Sequence, residues 1–201
     1  MFTSCKKSNN PVSSGDETAT VTYAGKVYHT VKIGNQTWLK ENLNVGVMID
    51  STQNPSNNGT IEKYCYRNDT ANCTKYGGLY QWNEAMVYDT ANGAKGICPT
   101  GWHIPTQAEF ETLTATVNND GNSLKTIDQG ASTDLSGFSG LLAGYFIGGN
   151  YFNLGSYTTF WSSTEINAAV AYSVSLRYNY SNIYMVNLLK ECGYSIRCIK
   201  D

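Results

Sequence analysis

Six cysteines constrain the fold of this 201-residue chain more than any other feature of its sequence. They are Cys5, Cys65, Cys73, Cys98, Cys192 and Cys198. Cys65 and Cys73 flank a polar loop whose length suits a local disulfide, and no histidine or second close cysteine pair lies nearby to complete a zinc site. A bridge between Cys98 and Cys198 would close a loop of about 100 residues and stabilise the fold by up to ~4.7 kcal/mol. Both bridges require an oxidising compartment, so we predict an extracytoplasmic protein.

The N-terminal residues resemble the end of a bacterial lipoprotein signal, because the small residues Thr3 and Ser4 precede Cys5. A polar segment without periodicity follows over residues 8–17. We therefore predict a lipid anchor at Cys5, a flexible tail over residues 1–19 and a single folded domain over 20–201. The alternative is a chance cysteine near a disordered N-terminus. With Cys5 set aside, one of the five other cysteines must be free or bonded elsewhere, and Cys192 is the one left over.

Composition argues against two classes of partner. Charged residues make up only 15% of the chain and the net charge is −2, so there is no basic surface for nucleic acid. No stretch approaches the roughly 18 apolar residues of a membrane-spanning helix, so the lipid anchor would be the only membrane attachment. With so few charges, the surface must consist largely of Asn, Thr, Ser, Gly and Tyr, as in many secreted bacterial proteins.

The N-terminal part of the domain alternates as β-strands do. Strands are predicted over Thr20–Tyr23, residues 27–33 and Gln36–Leu39, with a tight turn at residues 34–35. The alternation places His29 on the same face as Val27, Val31 and Ile33. If that face is the buried one, His29 is a hydrogen-bonded histidine of the core or of a sheet edge, and not a metal ligand.

The middle of the chain carries the helix patterns. Apolar residues at helical spacing predict a helix over residues 79–87. Thr106, with Glu109 three residues later, forms a capping box that predicts the start of a helix ending near residues 118–121. A helical turn is expected over 123–127, and strands over 160–163, 171–176, 183–186 and 194–199. Two central helices followed by short antiparallel strands indicate an α+β domain, in which the two helices pack on short antiparallel sheets with long loops.

Several short motifs follow one another in a recognisable order. They are IGNQTW at 33–38, ENL at 41–43, YGGLY at 76–80, CPTGWHIPT at 98–106, WSSTE at 161–165 and SIRC at 195–198. This order resembles the Fibrobacter succinogenes major paralogous domain family over residues 27–201. The resemblance implies secreted or surface lipoproteins, mainly of bacteria with an outer membrane, and a C-type lectin-like fold that is also similar to formylglycine-generating enzymes. It implies no established activity.

The resemblance also bears on the cysteines. Family members carry cysteines at the positions of Cys65, Cys73, Cys98 and Cys198, whereas Cys192 does not match the pattern. Formylglycine-generating enzymes use a cysteine pair near the C-terminus, so a thiol oxidase-like site at Cys192 and Cys198 is one alternative. Against it, Cys198 corresponds to a cysteine that is expected to be structural.

No constellation of residues predicts catalysis, a metal or another cofactor. The tripeptide at residues 82–84 is the nearest match to the calcium-binding triplet of C-type lectins, but calcium needs six to eight oxygen ligands and no acidic cluster is visible. His103 is expected to pack at the entrance of the helix that begins after Thr106. Buried charges are usually paired, so we predict a structural ion pair between Glu165 and Arg197, with Glu109 as the alternative partner of Arg197.

Tyrosines in segments rich in Gly, Asn and Ser are the strongest functional lead, because tyrosine rings offer rigid contact area beside adaptable hydrogen-bonding groups. The candidate ligand-binding residues are Tyr151, Tyr157, Tyr178 and Tyr180. For each of them, ordinary packing beneath a loop is the alternative. We expect a non-catalytic module at the cell surface that binds a polysaccharide or a protein. A structural or assembly role at the cell surface is the main alternative, and a thiol oxidase-like enzyme is the third.

Overall fold

The computed structural model of the protein describes residues 19–201. The predicted flexible tail therefore lies outside the described residues except for Ala19, and so does the predicted lipidation site Cys5. The described part is a mixed α and β fold in which curled sheets predominate over four short helices. Its helices are α1 (Thr70–Tyr76), α2 (Trp82–Ala85), α3 (Gln107–Thr116) and α4 (Gly121–Leu124), and a 3-10 turn covers Tyr66–Asn68.

Twelve strands form two five-stranded sheets and one small parallel pair in this part of the chain. Those of the first sheet, in spatial order, are β1 (Thr20–Tyr23), β2 (Lys26–Ile33), β3 (Gln36–Leu39), β12 (Ile199–Lys200) and β6 (Trp102–His103). Those of the second are β11 (Tyr184–Leu189), β10 (Val170–Arg177), β9 (Tyr157–Asn167), β7 (Ala143–Ile147) and β8 (Asn150–Leu154). The parallel pair is β4 (Val47–Met48) and β5 (Glu62–Lys63).

Two large clusters of buried side chains connect the sheets. One contains Tyr28 of β2 and Trp161 of β9, and the other contains Trp38 of β3 and Phe160 of β9. Since Trp161 and Phe160 are neighbours in sequence, their side chains point to opposite faces of β9. Both faces of the central strand of the second sheet are therefore covered, and each cluster contains side chains from both sheets.

The strands predicted at the N-terminus are present, but the predicted buried face of β2 is wrong for its first half. Tyr28 and Thr30 are buried, whereas Val27 is 49% exposed. His29 is exposed, and its Nδ1 lies 2.7 Å from a carboxylate oxygen of Glu41. The strand runs from one cluster to the other, so it buries Tyr28 on one face and Ile33 on the opposite face. A single alternating pattern could not show this exchange.

The capping-box helix is confirmed as α3. The Thr106 hydroxyl accepts a hydrogen bond from the Glu109 amide, and the Glu109 carboxylate accepts one from the Thr106 amide at 2.7 Å. The helix predicted over 79–87 is wrong at both ends, since α2 covers only Trp82–Ala85. Leu79 and Tyr80 instead form β-bridges with Tyr64 and Tyr194, so non-local pairing overrides the helical pattern at the start of this segment. The helical turn expected over 123–127 ends at Leu124.

The last strand is shorter than predicted. Regular pairing begins only at Ile199, where β12 lies between β3 and β6. Tyr194 and Ser195 form single bridges to Tyr80 and Phe160. The strands predicted over 160–163 and 171–176 are confirmed as parts of β9 and β10, and the one predicted over 183–186 is confirmed as β11, which begins one residue later.

Both predicted disulfides are present, between Cys65 and Cys73 and between Cys98 and Cys198. Cys192 is buried and is the free cysteine of the described residues. The first bridge joins the segment before the 3-10 turn to α1. The second joins the loop before β6 to the residue before β12, and so holds together two strands of only two residues each.

The predicted ion pair between Glu165 and Arg197 is wrong, and so is the alternative with Glu109. Glu165 binds the ammonium group of Lys190 instead. Arg197 is fully buried and donates hydrogen bonds to the Asn42 side chain and to the carbonyl oxygens of Leu39 and Phe138. Burial lowers the pKa of Arg197. Backbone and amide oxygens can accept all the hydrogen bonds of a guanidinium, so a carboxylate is not needed. A sequence search for acidic partners does not detect such neutral acceptors.

Candidate functional site: a tyrosine–arginine pocket

The candidate site lies where β9 begins and β10 ends. Tyr157 is the first residue of β9 and pairs directly with Arg177, the last residue of β10. Directly opposed residues of an antiparallel pair project from the same face of a sheet. The guanidinium carbon of Arg177 accordingly lies 5.1 Å from the centre of the Tyr157 ring.

Two further tyrosines contact the same guanidinium. Tyr184 of β11 pairs with Ser175, two residues before Arg177, and is therefore its diagonal neighbour on the same face. The Arg177 guanidinium carbon lies 4.6 Å from the centre of the Tyr184 ring and 5.6 Å from that of Tyr180, which belongs to the turn after β10. Such cation–π contacts stabilise by about 0.5–2 kcal/mol according to their exposure.

A buried lysine fixes the turn that carries Tyr178 and Tyr180. The side chain of Lys125, which is fully buried, donates hydrogen bonds to the carbonyl oxygens of Arg177, Tyr178 and Tyr180 at 2.9, 3.2 and 3.0 Å. The Tyr178 amide also donates to the carbonyl of Ser156 at 2.9 Å. Burial lowers the pKa of Lys125, and the charge of Asp120 opposes that shift. The turn is thus held in one conformation without a ligand.

These groups enclose a cavity of about 230 Å³. It is lined by Asn153, Ser156, Tyr157, Arg177, Tyr178, Asn179 and Tyr180. Tyr178 is 42% exposed and Tyr180 is 52% exposed, so both rings can meet a ligand. The lining therefore combines aromatic faces, amide groups, a hydroxyl group and one cation.

The donors of Arg177 have no acceptor in the described residues. Its Nε is buried and lacks a hydrogen-bond partner. The salt bridges of residues 19–201 involve His29, His103 and Lys190, and none of them includes Arg177. By contrast, the guanidinium of Arg197 makes four hydrogen bonds within the protein.

Three of the four tyrosines predicted to bind a ligand meet in this pocket, and Tyr151 does not. The Tyr151 hydroxyl donates to Asn68 Oδ1 at 2.6 Å, and its ring packs 5.3 Å from the ring centres of Tyr66 and Phe146. These are the contacts of a packing residue. Sequence reasoning missed Arg177, although an arginine directly after a predicted strand and followed by Tyr178 and Tyr180 was a visible signal.

Two cavities of about 420 Å³ and one of about 280 Å³ are larger, and all three lack an exposed aromatic side chain. The first is lined by polar residues such as Asn54, Gln81 and Glu191, and its only aromatic, Phe146, is buried. The second lies between the end of β2 and the end of α3 and contains no aromatic residue. The third, of about 280 Å³, contains no aromatic residue either, so none of the three offers the ring surfaces that the Arg177 pocket presents.

A comparison with protein families matches residues 31–200 to the Fibrobacter succinogenes major domain. The chain belongs to this family. The matched residues of the Fibrobacter succinogenes major domain include both disulfides and the whole Arg177 pocket. The pocket is therefore part of the family domain rather than an appended segment. Comparisons with curated proteins and with solved structures give no match.

In this Fibrobacter succinogenes major domain, His103 has a structural position at the entrance of α3. Its Nε2 lies 2.9 Å from a Glu109 carboxylate oxygen, and its Nδ1 lies 2.7 Å from one of Asp201. The hydrogen bond with Glu109 raises the pKa of His103, burial opposes the shift, and Asp201 adds to it. Burial would raise the pKa of Glu109, but hydrogen bonds from His103 and Thr106 lower it. His103 thus links α3 to the C-terminal residue.

The remaining candidate residues of the domain are also accounted for. Cys198 is bonded to Cys98, and burial raises the pKa of the Cys192 thiol. The tripeptide at residues 82–84 lies in α2, and no group of His, Cys, Asp and Glu within residues 19–201 is arranged to hold a metal ion. Within residues 19–201, every helix is too short or too polar to span a bilayer. The two disulfides indicate an extracellular environment.

Proposed function

We propose that this protein is a non-catalytic binding module that takes a polysaccharide in the Arg177 pocket. The observation that carries the proposal is the convergence of Tyr157, Tyr178 and Tyr180 with two asparagine amides around one small cavity. Tyrosine rings can pack against the C–H face of a sugar ring, and amide groups can hydrogen-bond its hydroxyl groups. The same residue types serve adaptable recognition in other binding proteins.

The size and rigidity of the pocket support a limited contact with a long ligand. Its volume of about 230 Å³ is below the ~300–1,000 Å³ that encloses a drug-sized molecule, which favours one sugar ring at a time. The hydrogen bonds from Lys125 fix the turn before a ligand arrives. Such preorganisation lowers the entropy that binding must remove.

For the setting of this module, we propose a C-type lectin-like fold on a lipoprotein that is anchored through Cys5 to the outer membrane. Support comes from the small residues before Cys5, from the disulfides and from what the family resemblance implies. Mass spectrometry of the membrane-associated protein tests the anchor. A diacylated or triacylated N-terminal cysteine supports it, and an unmodified Cys5 in a chain made with an intact signal contradicts it.

We propose a binding function instead of a thiol oxidase-like activity because neither candidate cysteine has a reactive thiol. A reactive cysteine needs an accessible thiolate with a lowered pKa. Cys192 is buried with a raised pKa, and Cys198 is engaged with Cys98. Thiol titration of the unreduced protein tests this preference, with one reactive thiol from residues 19–201 expected after denaturation.

A glycan array with the purified full chain tests the proposal. Tyr180→Ala removes one exposed ring of the pocket, and Tyr76→Ala removes a partly buried ring that lies outside the pocket under the ammonium of Lys75. We expect wild type and Tyr76→Ala to bind the same polysaccharides and Tyr180→Ala to lose them. Absence of binding to any polysaccharide, together with stable co-purification of a protein partner, would contradict the proposal and favour an assembly role.

A further inference from the structure

Arg177 differs from the other cations that lie against the second sheet. The ammonium of Lys190 binds Glu165, that of Lys125 binds three carbonyl oxygens, and the guanidinium of Arg197 makes four hydrogen bonds to three oxygen atoms. The side chain of Arg177 makes no hydrogen bond to any described residue, and its Nε is buried. A donor without a partner is unfavourable once a ligand shields it from water, so a ligand that supplies an acceptor to this guanidinium gains affinity.

The contacts that Arg177 does make leave its donors free. Tyr157, Tyr180 and Tyr184 lie 4.6–5.6 Å from the guanidinium carbon and hold it through their ring faces. A cation–π contact uses none of the N–H groups that form hydrogen bonds. The guanidinium is thus positioned by the rings, while its hydrogen-bonding capacity remains available to a ligand in the cavity.

The charges around the cavity favour an anion. None of the residues that line it is acidic. Lys125 lies directly under the turn and adds a second positive charge, and Asp120 is the carboxylate that acts on Lys125. A neutral sugar would leave the charge of Arg177 uncompensated, whereas a carboxylate would accept two parallel hydrogen bonds from it.

We infer that the pocket binds an acidic polysaccharide, in which the carboxylate of a uronic acid pairs with Arg177 while its sugar ring packs against Tyr178 and Tyr180. The inference rests on the proposed function and names its class of ligand. A planar guanidinium matches a planar carboxylate in two hydrogen bonds, which an ammonium cannot reproduce. Arginine at this position, rather than lysine, is therefore what such a ligand requires.

Calorimetric titration of the full chain with a matched panel tests the inference. The probes are oligosaccharides of galacturonic, glucuronic and mannuronic acid, each beside the same oligosaccharide with its carboxylates reduced to alcohols. We expect at least one acidic probe to bind roughly tenfold or more tightly than its reduced counterpart at low salt, since hydrogen bonds between charged groups are about twice as strong as neutral ones. The difference should shrink as sodium chloride is raised.

Substitutions of Arg177 test whether this residue causes the preference for the acidic probe. Arg177→Gln should abolish the preference for the acidic probe, and Arg177→Lys, which keeps the charge and much of the packing, should retain only part of it. The matched control is Arg67→Gln, because Arg67 is also an arginine beside a tyrosine ring, at 5.9 Å from Tyr66, but is exposed and lies outside the pocket. Melting temperatures of all variants report whether they are folded, and Arg177→Lys serves if Arg177→Gln is not.

The outcomes separate this inference from the proposed function. Equal binding of the acidic and reduced probes, lost in Tyr180→Ala, would overturn the inference and leave the binding function standing. An acidic preference that survives in Arg177→Gln would also overturn it. Absence of binding to every probe and to the neutral polysaccharides of the array would overturn both.

Discussion

The two disulfides close loops of very different length, which predicts unequal contributions to stability. Cys98 and Cys198 are separated by 100 residues in sequence, and Cys65 and Cys73 by 8. In the chain-entropy model, a bridge destabilises the unfolded state more when its loop is longer. The model gives about 4.7 kcal/mol for the long loop and about 2.5 kcal/mol for the short one, a difference of about 2 kcal/mol.

The two disulfides can be compared directly because all four cysteines are buried. Cys65, Cys98 and Cys198 are fully buried, and Cys73 is 2% exposed. Replacing either pair by alanine therefore removes similar packing, and the difference between the two double variants reports mainly on loop closure. The long bridge also holds β12 beside β6, where the ladder contains only two residue pairs.

The assay is equilibrium unfolding in guanidinium chloride, followed by tryptophan fluorescence under non-reducing conditions. We expect Cys98→Ala with Cys198→Ala to lower the free energy of unfolding by about 2 kcal/mol more than Cys65→Ala with Cys73→Ala does. Equal losses, or a larger loss for the short loop, would refute the argument from loop length.

Three further predictions concern buried polar groups. The raised pKa of His103 means that its ion pairs stabilise the fold fully below the ordinary histidine pKa of about 6.5, and this contribution is lost as pH rises through the folded-state pKa. The melting temperature of wild type should exceed that of His103→Gln most at pH 5.5–6, and a difference that does not vary with pH would contradict this. Lys125→Met leaves three carbonyl oxygens without their donor, so we expect the free energy of unfolding in urea to fall by about 1–3 kcal/mol. An unchanged urea midpoint would contradict the conclusion that Lys125 holds the turn after β10 in place. Arg197→Met leaves Asn42 and two buried carbonyl oxygens unpaired, which should lower the free energy of unfolding by about 3 kcal/mol or more. A loss below about 1 kcal/mol would contradict this, because water or a side-chain rearrangement would then replace these hydrogen bonds.

Sequence patterns predicted the elements that are stabilised by contacts between residues close together in the sequence. The capping box of Thr106 and Glu109 identified the start of α3, because both of its hydrogen bonds are formed within four residues. The short loop between Cys65 and Cys73 likewise identified a bridge that needs little else to form. Alternation located β2, but could not show that its two ends face different clusters.

Non-local contacts account for what the sequence did not predict. Tyr80 lies within the segment predicted to be a helix, yet its backbone pairs with Tyr194, which is 114 positions later in the sequence. Arg197 is satisfied by oxygen atoms of residues that are distant in sequence, and backbone carbonyls carry no sequence signature. The candidate tyrosines were selected for composition, and only the pairing of β9 with β10 shows that Tyr157 and Arg177 meet.

The central claim is that ligands bind between the start of β9 and the turn after β10. Amide chemical shifts of the full, isotope-labelled chain, recorded while the tightest-binding acidic oligosaccharide is added, test it most directly. The account predicts that the changes concentrate at residues 153–157 and 177–184 and disappear in Arg177→Gln. Changes confined to the larger polar cavity, at residues 51–54 and 146–149, would contradict it.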